Sequence, residues 1–382
     1  MFIEIIGTQF VNKGAELMLI SILNKVREKY PDVKIVMTPS SRKDFLQRSN
    51  LKLYQKLEIN RFRIRWRIIE NLIPSLFCEK YGLIKDNQID IVLDASGFAY
   101  SDQWGDYPAK ILSNNVKKWK KRNTKIILLP QALGPFSKSK IKKYISYIGN
   151  NIDLIFPRDI ISYRNITSLI GEQDKIIQSP DFTNITKCMK PSNEKKYKDK
   201  FCFIPNFRMI DKMSKDDQSK YLSFSTKCIQ ILDQIGEDVF ILVHEGDKDR
   251  NLAKRIIEMS KCEVDIYKEI DPLIIKGILG ISKGVISSRY HGLISALSQN
   301  VPSMAVGWSH KYEMLFNEYD IPENYLSLDL TEEELKDILK RFVLEERRLE
   351  MIERISKKSV QYKERTVNMW ERVFAIIDGK DP

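Results

Sequence analysis

Arg289, His291, His310 and Lys311 fall in one short stretch, SSRYHGLISALSQNVPSMAVGWSHK (residues 287–311), whose other members are mostly small or apolar. Two of the chain's three histidines are here, each within two residues of a fixed positive charge. A guanidinium can grip phosphate or carboxylate by two hydrogen bonds, and an imidazole can carry a proton near neutral pH. Together they are equipment for holding a small anion and exchanging a proton with it.

Those side chains must be positioned by the elements around them. KGVISS (283–288) has the composition of a buried strand, and GLISALSQ (292–299) that of a helix with Leu293, Ile294 and Leu297 towards a sheet. Arg289, His291 and Gly292 are therefore expected at a strand-to-helix turn, where backbone N–H groups and the positive dipole end receive anions. Among fixed positive charges, His291 is expected to favour the neutral form until an anion arrives, and the protonated form afterwards. The next strand, PSMAVGW (302–308), delivers His310 and Lys311 to the neighbouring loop. The structural alternative is an Arg289–carboxylate pair with His291 as a cap; the combined set favours function.

A second set lies earlier. GTQFVNKGAE joins the first strand to the first helix with Gly7, Asn12, Lys13, Gly14 and Glu16. It matches neither a dinucleotide fingerprint nor a P-loop. LDASGFAY, LPQALGPF and FPRDIIS follow further strands and contribute Asp94, Ser96 and Gly97, then Gln131 and Gly134, then Arg158 and Asp159. Asp159 reads equally as a helix N-cap, and Arg158 as a salt bridge or a ligand clamp.

Apolar runs alternate with helical periods along the chain, which predicts an α/β protein of two Rossmann-like parallel-sheet domains facing a cleft. Strands are expected at 2–6, 33–38, 89–94, 125–130, 153–157, 201–205, 238–245, 263–267, 283–288 and 302–308, with a helix over Ala15 to Lys29. KCMKPSNEKKYKDK (187–200) buries almost nothing and marks the boundary. The expected domains are 1–188, on the acceptor side, and 200–345, on the donor side, with 346–382 a helix packing across both.

Composition narrows the classes. The 382 residues are 43 % hydrophobic, enough for two cores. Five cysteines show no zinc-site spacing and read as thiols of a reducing cytoplasm. The N-terminal run resembles a strand more than a leader, and no stretch approaches the ~20 apolar residues of a membrane span. The net charge of +12 favours anionic partners. No zinc finger or RNP-like motif supports nucleic acid. NRFRIRWRIIENLIP (60–74) reads as a basic amphipathic helix, either a membrane-surface contact or a packed helix with a solvated basic face.

As a set, NKGAE, SGF, LPQALGPF, RDIIS, SPDFT and above all SSRYHGLISALSQNVPSMAVGWSHK resemble the polysaccharide pyruvyl transferase family, in order from about residue 5 to about 318. The resemblance implies a GT-B-like fold and transfer of pyruvate from phosphoenolpyruvate to a sugar as a cyclic ketal. It places Arg158, His291 and Lys311 at donor-binding and catalytic positions, with Arg289 beside them. Family members often read N-x-G-D-E in the first turn, whereas this chain has Ala15 at the aspartate; Glu16 or another carboxylate must then serve as base, or the acceptor differs.

The expectation is catalysis by His291 and Glu16. Arg158, Arg289, Lys311, His310, Asn12, Gly14, Ser96, Gly97, Gln131 and Gly292 are expected to bind substrate. Neither a metal nor a cofactor is expected beyond phosphoenolpyruvate as co-substrate. The implied acceptor is a hexose or N-acetylhexosamine on a polyprenyl-phosphate-linked precursor, met in the cytoplasm or at the inner membrane face. A nucleotide-sugar glycosyltransferase of the same fold, with HEGDKD (244–249) supplying carboxylates, is the main alternative, and a non-enzymatic binder of anionic glycan or nucleic acid another.

Overall fold

Continuous apolar runs become strands buried on both faces, as parallel sheets require. The computed structural model describes residues 1–41, 44–58, 60–61, 64–65, 70, 72–307 and 309–380. The chain divides into two compact units, one of Met1–Phe10, Met18–Phe182 and Thr366–Pro382, the other of Val11–Leu17 and Thr183–Arg365.

In the first unit, β1 (Phe2–Ile6), β2 (Lys34–Met37), β3 (Tyr54–Lys56), β6 (Leu83–Ile84), β7 (Ile91–Asp94), β8 (Lys125–Gln131) and β9 (Leu154–Pro157) form one parallel sheet in the order β6-β3-β2-β1-β7-β8-β9. Ile3 pairs with Ile35 on one side and Ile91 on the other. Helices Tyr107–Lys120 and Ser139–Asn151 bury Leu112, Val116, Trp119, Ile141, Ile145 and Ile148 in its core.

The expected basic helix over 60–74 is corrected at its start, while Glu70 and Leu72 are helical. Asn60–Arg61 (β4) and Ile64–Arg65 (β5) pair as a short antiparallel ribbon. The physical signal was the strict alternation of arginine with apolar residues, a period of two that belongs to strands. Positions 62, 63, 66–69 and 71 of that expectation lie outside the described residues.

The second unit holds β10 (Phe201–Ile204), β11 (Val239–Val243), β12 (Asp265–Lys268), β13 (Gly284–Ser287) and β14 (Ser303–Ala305), all parallel, in the order β12-β11-β10-β13-β14. Alternation on the strands feeds two cores: Phe201, Phe203 and Ile286 pack with helix Lys215–Gln234, whereas Cys202, Ile204 and Val285 pack with helix Pro272–Gly280. Helix Glu345–Ile377 is 33 residues long. No helix among the described residues is long and apolar enough to cross a membrane.

Each sheet has one place where the chain reverses its direction of strand addition: between β1 and β7 in the first, and between β10 and β13 in the second. Loops leaving such adjacent strands diverge, and the gap beyond their carboxyl ends is where open α/β sheets bind ligands.

Candidate functional site

At the switch point of the second unit, β13 ends at Ser287 and helix Tyr290–Leu297 begins after Arg289, which gives its N-terminus no side-chain cap. Asn206, just beyond β10, donates from Nδ2 to the Ser288 carbonyl at 2.7 Å, and Tyr312 Oη donates to the same carbonyl at 2.8 Å. These bonds fix the turn that carries Arg289 and His291.

Arg289 is buried, and its fork is committed to carboxylates: one terminal nitrogen donates to Glu245, the other to both oxygens of Asp249. Burial opposes its charge, but Asp249 and Glu245 outweigh that and hold the guanidinium protonated. The fork anticipated as an anion clamp is thus engaged within the protein, and Arg289 acts on the site by charge and by anchoring the turn.

Helix Lys13–Lys29 contributes its first turn to this unit. Asn12 caps it, with Oδ1 accepting from the N–H groups of Gly14 and Ala15 at 3.0 and 3.2 Å, and pairs with Glu245 in an isolated bridge. Gly14 faces His291 so closely that a Cβ on it would lie 2.4 Å from Nδ1. Glu16 accepts from Lys13 Nζ at 2.5 Å, and burial raises its carboxyl above the ordinary range. Gly292 is a packing residue: a Cβ there would lie 3.0 Å from Ile204 Cδ1 and 3.2 Å from Ser287 Oγ, so the glycine lets the helix settle on the sheet.

His310 and Lys311 open helix His310–Glu318 after β14. The Lys311 ammonium lies over the rings of Tyr290 and Tyr312, 5.4 and 5.3 Å from their centroids, and Tyr290 meets the His291 ring edge-on at 5.7 Å. Tyr290 thereby links the two loops.

One member of this set was missed in the sequence. His244 follows β11, is buried, and has an Nδ1 without a hydrogen-bond partner among the described residues. Burial, then the charges of Arg289, His291 and Lys13, push its pKa well below the ordinary value, so it is a neutral imidazole among cations. The available signal was FILVH, an apolar strand ending in histidine as VISSRYH nearly does.

The first unit has its own set. At its switch point Gly7, with φ of +82°, approaches Ser96 so closely that a Cβ would lie 2.4 Å from Oγ. Buried Asp94 accepts from Ser96 Oγ at 2.5 Å and from Tyr100 Oη at 2.6 Å, and burial raises its pKa. Gly97 takes φ of +67° in that loop, and its carbonyl accepts from Ala132 N at 2.8 Å. Gln131, ending β8, is fully buried, yet neither amide atom of its side chain has a hydrogen-bond partner among the described residues. Arg158 pairs with Asp181 at 3.2 Å, and Asp159 is the helix N-cap, accepting from Ser162 N at 2.7 Å.

The fold is shared with solved nucleotide-sugar proteins. The chain is similar to a protein of Listeria monocytogenes assigned as a UDP-N-acetylglucosamine 2-epimerase, with a TM-score of 0.64, 12% identity, and coverage of 100% of this chain and 97% of the other. It is similar to S. aureus MnaA in a co-structure with UDP, at 0.62, 13%, 100% and 98%. It is also similar to Anabaena Alr3699/HepE in complex with UDP and glucose, at 0.59, 11%, 99% and 100%. Such identities carry the GT-B-like fold alone. No curated protein matches the chain. The sequence profile described as Polysaccharide pyruvyl transferase matches residues 12–310, taking in both the capped turn at Asn12 and the Arg289–His310 loops. With most of its length so matched, the chain belongs to the polysaccharide pyruvyl transferase family.

Proposed function

We propose that the protein moves pyruvate from phosphoenolpyruvate to a hexose or N-acetylhexosamine of a surface-polysaccharide precursor, making a cyclic ketal and releasing phosphate. Family membership supports pyruvyl transfer in polysaccharide synthesis. The observation that carries the donor chemistry is the second unit's switch point, where His291 sits against Gly14 with Lys13, Arg289 and neutral His244 around it and Lys311 one ring away.

Phosphoenolpyruvate brings a phosphate and a carboxylate on one small enol. Lys311 and the uncapped N-terminus at Arg289 suit those charges, and Arg289 adds a fixed positive charge without leaving its carboxylates. His291 donates a proton to the methylene carbon, leaving a cation at the adjacent carbon. One sugar hydroxyl adds there and loses its proton; the carbon–oxygen bond to phosphate then breaks, and the second hydroxyl adds and loses its proton. One proton enters the new methyl group and two leave the hydroxyls, so the products are a ketal with one carboxylate and hydrogen phosphate. Glu16, its pKa raised by burial, is the proposed acceptor of a hydroxyl proton.

Ser96, Gly97 and Gln131 are proposed for the sugar, and Arg158 for the donor, on their family motifs. The precursor is proposed to be carried on polyprenyl phosphate. The test is incubation with phosphoenolpyruvate and a panel of lipid-linked and nitrophenyl hexosides, following phosphate and product mass. A sugar heavier by one pyruvate minus one water, with matching phosphate, is expected. Stabilisation by UDP-sugars and none by phosphoenolpyruvate would overturn the proposal in favour of glycosyl transfer.

A further inference from the structure

Asp94 ends β7 at the switch point of the first unit, and it is fully buried. Glu4, Asp44, Asp181 and Asp249 are buried too, and each pairs with a lysine or an arginine. Asp94 has no such cation among the described residues. Its partners are neutral: Oδ1 accepts from Ser96 N at 2.9 Å and from Ser96 Oγ at 2.5 Å, and Oδ2 accepts from Tyr100 Oη at 2.6 Å. An asparagine could make three such bonds without burying a charge, so holding the loop does not account for a carboxylate here. A buried carboxylate bonded to a hydroxyl is instead a place to put a proton. Ser96 is the way to it. Tyr100 is buried, whereas Ser96 is partly exposed, and its oxygen keeps lone pairs to accept with while it donates to Asp94. The Gly97 carbonyl accepts from Ala132 N at 2.8 Å, which sets this loop beside Gln131, the buried amide without partners among the described residues.

We propose that Ser96 and Asp94 form a proton relay for the sugar: Ser96 Oγ takes the proton of an acceptor hydroxyl as it passes its own to Asp94 Oδ1. The relay deepens the pyruvyl-transfer reading and rests on it. That reaction releases two hydroxyl protons, and Glu16 receives one of them. In the relayed step the sugar O–H bond breaks and its electron pair forms the bond from oxygen to the cationic carbon of the donor. The serine O–H is broken and remade, and Asp94 ends as the neutral acid, which later returns the proton through Ser96 to water. Burial raises the Asp94 pKa, which makes it a better proton acceptor than an ordinary carboxylate. The groups facing it, Ser96 and Tyr100, are uncharged, and the Tyr100 phenol is pushed well above its ordinary value, so it stays a donor. Tyr100 is thereby a positioning residue, which occupies Oδ2 and leaves Oδ1 to Ser96.

Asp94→Asn and Ser96→Ala are assayed as full chains with phosphoenolpyruvate and the same panel of hexosides, by phosphate release and product mass. Each should lose about a hundredfold in kcat, with the KM for the acceptor moved far less. Asp94→Asn should melt at the parent temperature or above it, since asparagine keeps the bonds and buries no charge. Its defect should narrow as pH rises, because hydroxide then takes the proton in place of the relay, whereas a merely structural role gives a defect of one size at every pH. Ser96→Ala, at a partly exposed position, carries the test if the asparagine disturbs folding. With an active parent, a parental kcat in the serine variant, or a defect in the asparagine variant that pH does not move, overturns the relay alone. A parent that pyruvylates no member of the panel counts against pyruvyl transfer itself, and the relay goes with it.

Discussion

Gly14 touches His291: a Cβ built on the glycine would stand 2.4 Å from Nδ1 and 2.7 Å from Cγ of the imidazole. Gly14 is helical, so the glycine serves room for the ring and not an unusual backbone. Gly14→Ala should lower the melting temperature only modestly, because the about 0.5–1 kcal/mol that alanine gains in a helix offsets part of the about 1–3 kcal/mol that displacing the imidazole costs. Turnover should nevertheless fall by roughly a hundredfold, as displacement of a reacting group by an ångström does. Steady-state rates alongside thermal melts decide it, and parental turnover in the variant would remove His291 from the reaction.

His244 links the site to pH. Its folded pKa lies below the ordinary 6.5, so the unfolded chain binds this proton more readily than the folded one. Its contribution to stability is level above that value and declines as pH falls below it towards the folded pKa. His244→Gln cannot take up a proton there, so the variant should lose less stability than the parent between pH 7 and pH 5, read by urea unfolding at each pH. Parallel losses would mean that His244 is not the neutral buried group described.

Arg289 is expected to be structural as well as electrostatic. Arg289→Ala leaves buried Asp249 and its neighbour Glu245 uncompensated and should cost about 3–5 kcal/mol. Arg289→Met combined with Asp249→Asn, which removes both charges and keeps an acceptor for the Phe207 and Glu245 N–H groups, should recover part of that stability in denaturant titration, while activity stays lost. Stability close to the parent in the single variant would show that the fork contributes little.

Gln131 tests a different compromise. A buried amide without partners costs about 1–3 kcal/mol, and Met has nearly its shape without its polarity. Gln131→Met should therefore melt at or above the parent temperature. If the amide serves the sugar, the same variant should show a raised KM for the acceptor with kcat less affected. A lower melting temperature would mean that the amide has a structural partner.

The ten strands expected from the sequence are all present, because strands buried on both faces leave continuous apolar runs such as KIILLP and DVFILV. β3 was not legible: Tyr54–Lys56 is YQK, a short strand whose lysine is buried by pairing with Glu4 and Asp86. Neither partner can be foreseen from its neighbours in sequence. Arg289 shows the same limit, since Glu245 and Asp249 lie more than 35 residues away and only the adjacency of β10 to both β11 and β13 brings them to it. The turn at Arg289–His291 was readable because strand, turn and helix are contiguous. The packing role of Gly292 was not legible, because a glycine admitting another backbone or side chain looks identical in sequence to one admitting a ligand.

The division of the chain bears on its birth at the ribosome. The first unit includes Thr366–Pro382, and Phe182 packs its ring edge-on against Trp370 at 6.0 Å. Its nascent residues must therefore wait through nearly two hundred others before that contact can form. Val11–Leu17, which bring Asn12 and Gly14 to the second unit, emerge long before Glu245 and His291, the residues they meet there. Neither unit is a consecutive segment, so a protease nick near residue 182 would leave two fragments that each lack part of their own fold.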